Sequence, residues 1–417
     1  MSTTTIVFGK VFEYDFLSGW IRFKRLEKNL TQEALAYGIC SVSHLSYFEN
    51  GKKKLRPELI ESLLSKLELS AITGEQHIGQ LRQLFYKLLF QIESFDTENA
   101  TKTYEELKKL EGFLVQSPYH LEYKLYDLLY QGLVQKKSYS EINPTLKILE
   151  RTLNAFSNEL KSLYHLLYGV SSFKYVSHSI GIEHLKKALD FHESPWVHYR
   201  LGFSYCFDNK PLKGIQHLNI ALKNYEMNGL YLNALWCHNF LGICYTYLKS
   251  YDESKAHFEA ALNGALHFGL NEPLSHIYTN LSNLYLQKED YVKSLEYSSK
   301  VMDFPNHLLV SVHNAIEAHI ALNQIDECKK LLDIYLSDKY KSSKYYLFLK
   351  FDYLRLFSFE SDEFYETTTK EILPYFESID YIEICNEIRL CLIKYLEANR
   401  RYKEANNIYK VLFDELS

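Results

Sequence analysis

The densest group of residues able to do chemistry lies between Thr31 and Lys54. Ser41, Val42, Ser43, His44 and Tyr47 bring hydroxyls, an imidazole, a phenol and methyl groups onto one short stretch. Those are the donors, acceptors and apolar contacts that read base edges in a major groove. Lys52, Lys53 and Lys54 follow directly. Three consecutive ammonium groups suit backbone phosphate, giving affinity and salt dependence without sequence preference. Thr31 is a good N-cap, so Gln32 stands in the first turn of a helix. There its carboxamide and the free backbone N–H groups can hold a phosphate together. The chemistry on offer is recognition of double-stranded DNA.

To act together these side chains need two short helices and a tight turn. Phe16–Lys28 carries Phe16, Leu17, Trp20, Ile21, Phe23 and Leu26 with basic residues between them, which predicts an amphipathic helix. Thr31 opens a second helix that Gly38 ends, Ser41 opens a third over Val42–Asn50, and Gly51 sits where a C-terminal cap belongs. Pro57 begins a fourth, Glu58–Leu69. The middle pair reads as a helix-turn-helix, and the domain is expected to span 1–70. Charge agrees. Residues 1–70 carry 10 Lys and Arg against 8 Asp and Glu, a balance of +2, whereas the remainder holds −7 of the chain's net −5. Between Trp20 and Pro57 the count is 8 basic to 3 acidic, a basic island on an acidic body.

The stretches "LTQEALA" from Leu30 and "SVSHLSYFENGKK" from Ser41 resemble the phage-repressor-like class of helix-turn-helix, over roughly residues 16–69. That resemblance implies that Arg25 on the first helix pairs with Glu49 at the end of the recognition helix, as scaffold. The turn "YGICSVS" from Tyr37 is a residue shorter than in the phage repressors. Its Ile39-Cys40 before the capping serine is similar to the turn of PlcR-type regulators of Gram-positive bacteria. The alternative for this region is a helical hairpin that never meets DNA, and Tyr47 could equally lie half in the core.

The rest of the chain repeats itself. "YGVSS" at Tyr168, "LGFSY" at Leu201, "LGICY" at Leu241 and "LSNLY" at Leu281 share a frame. Each is followed by a second matching segment, "GIEHLKKAL" from Gly181, "GIQHLNIAL" from Gly214, "SKAHFEAAL" from Ser254 and "SLEYSSKVM" from Ser294. The small residues Gly169, Gly202, Gly242 and Ser282 stand 33, 40 and 40 apart. This resembles the tetratricopeptide repeat, in which a small residue lets helices A and B approach closely. The resemblance implies a domain over 71–417 of about eight or nine helix pairs in a right-handed superhelix, the first pairs degenerate.

In such a repeat, set positions of helix A face a concave groove. The implied groove residues are Trp196, Tyr199 and Phe203, then Trp236, Asn239 and Ile243, then Thr279 and Asn283, then His313 and Glu317. Asn is a poor helix-interior residue unless its amide has a partner. A carboxamide matches the N–H and C=O of an extended peptide, so Asn239 and Asn283 suggest clamps on a short signalling peptide. The alternatives are that these amides face solvent or bond a neighbouring helix, and that the tryptophans pack between helices.

Composition limits the other possibilities. The 417 residues, 24% charged and 47% hydrophobic, make a folded chain too long for one core, and 35 Tyr against 16 Gly and 8 Pro favour helices. An all-α fold is expected. Seven scattered cysteines without a CxxC pair, no export signal and no membrane-length apolar run predict a cytoplasmic protein with reduced thiols and no membrane partner. Phosphate-loop, dinucleotide, zinc-protease and serine-hydrolase motifs are absent. Cys237, His238 and Cys244 do not share a helix face, so core packing is expected there and not a metal. No cofactor and no enzymatic activity are expected.

A repressor-like helix-turn-helix followed directly by tetratricopeptide repeats resembles the Rap–Rgg–NprR–PlcR–PrgX class of peptide-pheromone receptors, nearest the NprR and PlcR types. The resemblance implies a homodimeric quorum-sensing transcriptional regulator that binds operator DNA and is switched by a short peptide in the repeat groove. The alternative is a DNA-binding regulator whose repeats hold a folded protein, such as a phosphorelay response regulator. A Rap-type phosphatase is disfavoured, because the place of its N-terminal helical bundle is taken by the DNA-binding module.

Overall fold

The computed structural model describes residues 14–69, 75–175, 177–301, 304, 308–343, 345–378 and 381–416. Among them every regular element is a helix, and none is long and apolar enough to cross a membrane. The chain divides into two compact units, Met1–Leu248 and Lys249–Ser417. The boundary expected at 70/71 falls on residues outside the described ones.

The first unit begins with α1 (Tyr14–Glu27), α2 (Gln32–Ala36), α3 (Val42–Glu49) and α4 (Pro57–Lys66). Local rules place their ends: Thr31 and Ser41 cap α2 and α3, Pro57 takes the first turn of α4, and Gly38 and Gly51 adopt positive φ at the turns. Helix pairs follow: α5 (Glu75–Glu93) with α6 (Thr97–Lys109), then the short α7 (Glu111–Val115). Next come α8 (His120–Leu129) with α9 (Tyr139–Glu150), and a 3-10 turn over Leu153–Ala155. The regular repeats begin with α10 (Asn158–Tyr175) and α11 (His178–Phe191), continue with α12 (Pro195–Phe207) and α13 (Pro211–Met227), and the unit closes with α14 (Tyr231–Tyr247).

One buried cluster runs through this unit from Leu17 to Cys244. Helix α1 is why: it is apolar on two sides. One side packs under the recognition helix, and the other docks on α8 and on the Leu153–Ala155 turn. Gly19 lies so close to Ala155 that an added Cβ would overlap that residue's methyl group. Phe23 meets His120 edge-on at 5.5 Å, and Phe16 lies 6.5 Å from Tyr119. His120 is buried, and that burial, with the charges of Lys24 and Lys124, pushes its pKa down to about 2, so it is neutral here.

The repeat frame has a physical basis in the small residues. A Cβ on Gly202 would stand 2.5 Å from Leu218 Cγ, and one on Gly169 would stand 2.9 Å from the Gly181 carbonyl oxygen. Helix A and helix B cross so closely that helix A has no room for a larger side chain at Gly169 and Gly202.

The second unit comprises α15 (Tyr251–Phe268), α16 (Asn271–Gln287), α17 (Tyr291–Lys300), α18 (Leu308–Ala321), α19 (Ile325–Tyr335) and α20 (Tyr346–Phe357). It ends with α21 (Asp362–Thr367), α22 (Leu373–Ser378), α23 (Ile382–Ala398) and α24 (Tyr402–Leu416). At its A/B crossing Ser282 replaces glycine, and its hydroxyl bonds Ser298 at 2.7 Å and Ser294 at 3.2 Å. Polar atoms at that crossing are satisfied within the core.

Candidate nucleic-acid interface and repeat groove

The recognition helix is held from below. Arg25 forks onto Glu49, with Nε to Oε1 at 2.6 Å and NH2 to Oε2 at 2.7 Å, while NH1 donates to the Leu30 carbonyl at 2.8 Å. The pairing implied by the repressor resemblance is present, and Glu49 is fully buried. Gln32 joins the same network: its Nε2 donates to Glu49 Oε2 at 2.8 Å. The carboxamide donor expected to face a phosphate is therefore turned inward, and the free N–H groups of the first turn of α2 remain for that task.

From that base α3 presents one face outward. Leu45 and Phe48 are buried, while Ser41, Ser43 and His44 are exposed, Val42 is 40% exposed and Tyr47 is 52% exposed. The Ser41 hydroxyl accepts the His44 N–H at 3.2 Å and keeps its own proton to donate. His44 Nε2 lies 3.1 Å from Lys53 Nζ. An ammonium only donates, so Nε2 is the acceptor in this contact. Lys52, Lys53 and Lys54 are all exposed beside this face.

In the first unit the expected groove residues differ sharply in depth. Trp196 (2% exposed), Tyr199 and Asn239 (1% exposed) are buried, whereas Phe203, Trp236 and Ile243 are half-buried. Their rings converge on Phe240, with Phe203 at 5.0 Å, Tyr199 at 6.0 Å and Trp236 at 6.1 Å. Part of the cover comes from the turn after α5. The Phe95 ring lies 6.1 Å from Tyr199 and 6.4 Å from Trp236. Asn233 Nδ2 donates to the Glu93 carbonyl at 2.9 Å, and the Tyr225 hydroxyl donates to Glu93 Oε1 at 3.3 Å. Glu93, Phe95, Tyr225, Asn233 and Phe240 were not singled out by the repeat frame. The one available signal was an aromatic residue at a turn position where the other repeats carry polar ones.

In the second unit Thr279 is buried, its Oγ1 donating to the Ser275 carbonyl at 2.8 Å and lying 3.1 Å from Ser311 Oγ, whereas Asn283 is exposed. His313 and Glu317 are drawn into a charged cluster with α20. His313 Nδ1 lies 2.7 Å from Asp352 Oδ2, and Arg355 donates to Asp352 Oδ1 at 2.7 Å, to Glu387 Oε1 at 2.8 Å and pairs with Glu317. Burial raises the Asp352 pKa, and His313 opposes the rise. His313, Glu317 and Asp352 are residue types that hold a cation, and the Arg355 guanidinium stands among those carboxylates. Cys237 and Cys244 are buried, and burial pushes the Cys237 thiol well above its usual range.

Residues 21–72 match the helix-turn-helix family. The chain is similar to the transcriptional activator NprA of Geobacillus stearothermophilus, 23% identical over 406 residues that cover 92% of this chain and 98% of that protein. Among solved structures, the apo form of the quorum sensor NprR from B. thuringiensis matches with a TM-score of 0.65 at 17% identity, covering 81% of this chain and 99% of that one. A Rap protein complexed with competence and sporulation factor matches at 0.67 and 14% identity, covering 81% and 97%. NprR in complex with its cognate peptide NprX matches at 0.60 and 18% identity, covering 81% and 99%. The fold is that of the NprR and Rap proteins. Domain, relative and fold thus agree with the class resemblance read from the sequence.

Proposed function

We propose that the chain is a transcriptional regulator that binds operator DNA through α3 and is switched by a short signalling peptide held by the repeats. The observation that carries the reading is the exposed α3 face, rigidly seated on the Arg25–Glu49 fork, in a chain that shares the NprR and Rap fold over most of its length. In this reading Ser41, Val42, Ser43, His44 and Tyr47 meet bases or the sugar edge, and Lys52, Lys53, Lys54 and the first turn of α2 at Gln32 meet phosphate. Residues 1–70 act as the DNA-binding part and 71–417 as the receptor part. The peptide contacts in the first unit are Phe203, Trp236 and Ile243, backed by Trp196, Tyr199 and Asn239. The second unit offers its own set, Thr279, Asn283, His313 and Glu317. A homodimer would present two recognition helices to paired half-sites, and a peptide favouring one conformation would alter their fit.

The test is selection of bound duplexes from a random library by the full chain, with and without the small-peptide fraction of spent medium from the source organism. Enrichment of one motif, and a change in its occupancy on adding the fraction, is the expected result. A ligand that binds only the folded protein also raises its stability, by about 2.7 kcal/mol at a hundred times its dissociation constant. No motif under any condition would sink the DNA-binding reading. A motif without any peptide effect would transfer the repeats to a folded partner such as a phosphorelay response regulator.

A further inference from the structure

The turn that joins helix A to helix B recurs along the chain with one residue at positive φ: Asn209, Lys249, Glu289, Asn323 and Arg400. All five are polar and exposed, as the left-handed conformation at a surface helix end favours. At the equivalent place after α5 stands Phe95, with φ 60° and half-buried. An aromatic residue is a poor choice for that conformation, so something must hold it there. What holds it is the aromatic surface of α12 and α14. Three kinds of contact meet in the space of three residues: the Asn233 carboxamide on the Glu93 carbonyl, the Tyr225 hydroxyl on the Glu93 carboxylate, and Tyr199 with Trp236 on the Phe95 ring. Arg200 lies over the Tyr199 ring at 5.4 Å with its Nε buried and unpartnered, and its charge reaches Glu93. A carboxamide for backbone, a donor and a cation for an acid, and a ring pocket are the elements by which a groove reads an extended peptide.

We propose that the Glu93-Ser94-Phe95 turn is an internal occupant of the peptide site in the first unit, and that the incoming ligand displaces it. The ligand class follows from what the turn presents: a short peptide with a carboxylate and, two residues on, an aromatic side chain. This rests on the reading of the repeats as a peptide receptor. Free protein then holds its own turn in the place of the signal, and peptide binding releases the turn between α5 and α6 from α12, α13 and α14.

The test uses the full chain and the probe acetyl-Gln-Ile-Glu-Ser-Phe-Asp-Thr-amide, a copy of residues 91–97. Binding is measured by calorimetry, beside acrylamide quenching of tryptophan fluorescence. Trp20 and Trp196 are buried, so the quenching reports Trp236. The expected result is that Phe95→Ala exposes Trp236 and binds the probe at least tenfold more tightly than the unaltered chain. A scrambled probe should not bind, and adding Trp236→Ala should abolish the gain. A cooperatively folded Phe95→Ala that binds the probe no better than the unaltered chain overturns the proposal. If Phe95→Ala fails to fold, Glu93→Ala is measured in the same way; failure of both to fold shows a fixed structural staple and also overturns it. The spent-medium fraction separates the two readings. If it stabilises the unaltered chain and Phe95→Ala equally while the probe binds neither, the receptor stands and the internal occupant falls. If the probe binds Phe95→Ala and the fraction stabilises nothing, the occupant stands and the signalling role falls.

Discussion

Glu49 is an acid buried without access to water, and it is tolerable only because Arg25 and Gln32 saturate both its oxygens. Removing one partner of such a pair leaves the other charge stranded, at a cost of about 3–5 kcal/mol. Arg25→Ala is therefore expected to lower the unfolding free energy by that order, read from urea melts, and an effect within about 0.5 kcal/mol, the usual size of a surface change, would show the fork to be dispensable. The exposed residues behave differently. Lys52→Ala with Lys53→Ala should weaken binding to all duplexes and shallow the log–log salt slope by about 2, one per lost phosphate contact. Replacing Ser43 or His44 should instead change which sequences are selected, by roughly 1–3 kcal/mol per base pair read. An unchanged salt slope removes the lysines from the phosphate surface. This face was legible in the sequence because everything that shapes it lies within a few dozen residues: two caps, two glycines and an alternation of buried and exposed positions on α3. The inward turn of Gln32 was not, since it depends on which of several acceptors lies nearest in space.

At the scale of elements, the repeat frame predicts where helices cross and the structure gives the tolerance. Gly202→Ala forces a methyl against Leu218, so overpacking of about 1–3 kcal/mol is expected, while a change to alanine at exposed Gln216 within α13 should cost far less. A lower melting midpoint for Gly202→Ala alone is the check. The same frame sets histidines face to face. His165 and His184 approach Nδ1 to Nδ1 at 3.1 Å, and His198 and His217 at 2.8 Å, one repeat later. Burial, then the neighbouring charges, pushes His165, His184 and His217 down to about 4. A base held below its unfolded value of about 6.5 gives stability that is present above that pH and lost as pH falls toward 4. Glu122, raised by burial to about 7, acts in the opposite sense: its contribution is present below the ordinary carboxylate value of 4.5 and lost as pH rises through 7. His184→Gln and His217→Gln keep a donor for each facing ring but remove two of these three titrations. They should flatten the loss of stability between pH 6.5 and 4, and an unaltered acid limb would dismiss the pairs as its source. What the frame could not deliver was depth. Helical position fixed the face of Tyr199 and Trp236, yet their cover by Phe95 comes from more than a hundred residues away. His313 and Glu317 are likewise claimed by Asp352 and Arg355, which belong to the following pair.

At the scale of the molecule, the DNA-reading helices and the first repeats of the first unit share one core. Phe23→Ala removes a buried α1 ring that packs edge-on against His120 of α8, at an expected cost of about 3–5 kcal/mol. Hydrogen exchange should then accelerate together in α1 and α8, because neither keeps its packing without the other. Acceleration confined to α1 would mean that the two parts open separately. The sequence suggested a boundary at residue 70 from charge and motif alone. Nothing in the periodicity of α1 revealed that its second apolar side is spoken for by His120, Tyr119 and Ala155. This arrangement bears on how such a protein can change over generations. A recombination event at residue 70 would deliver a new DNA specificity with an unmatched underside, leaving Phe16, Gly19 and Phe23 to be refitted against a stranger's residues 119–155. Reading heads in this lineage should therefore diverge by point substitution on the outer face of α3, or be exchanged together with the first two helix pairs.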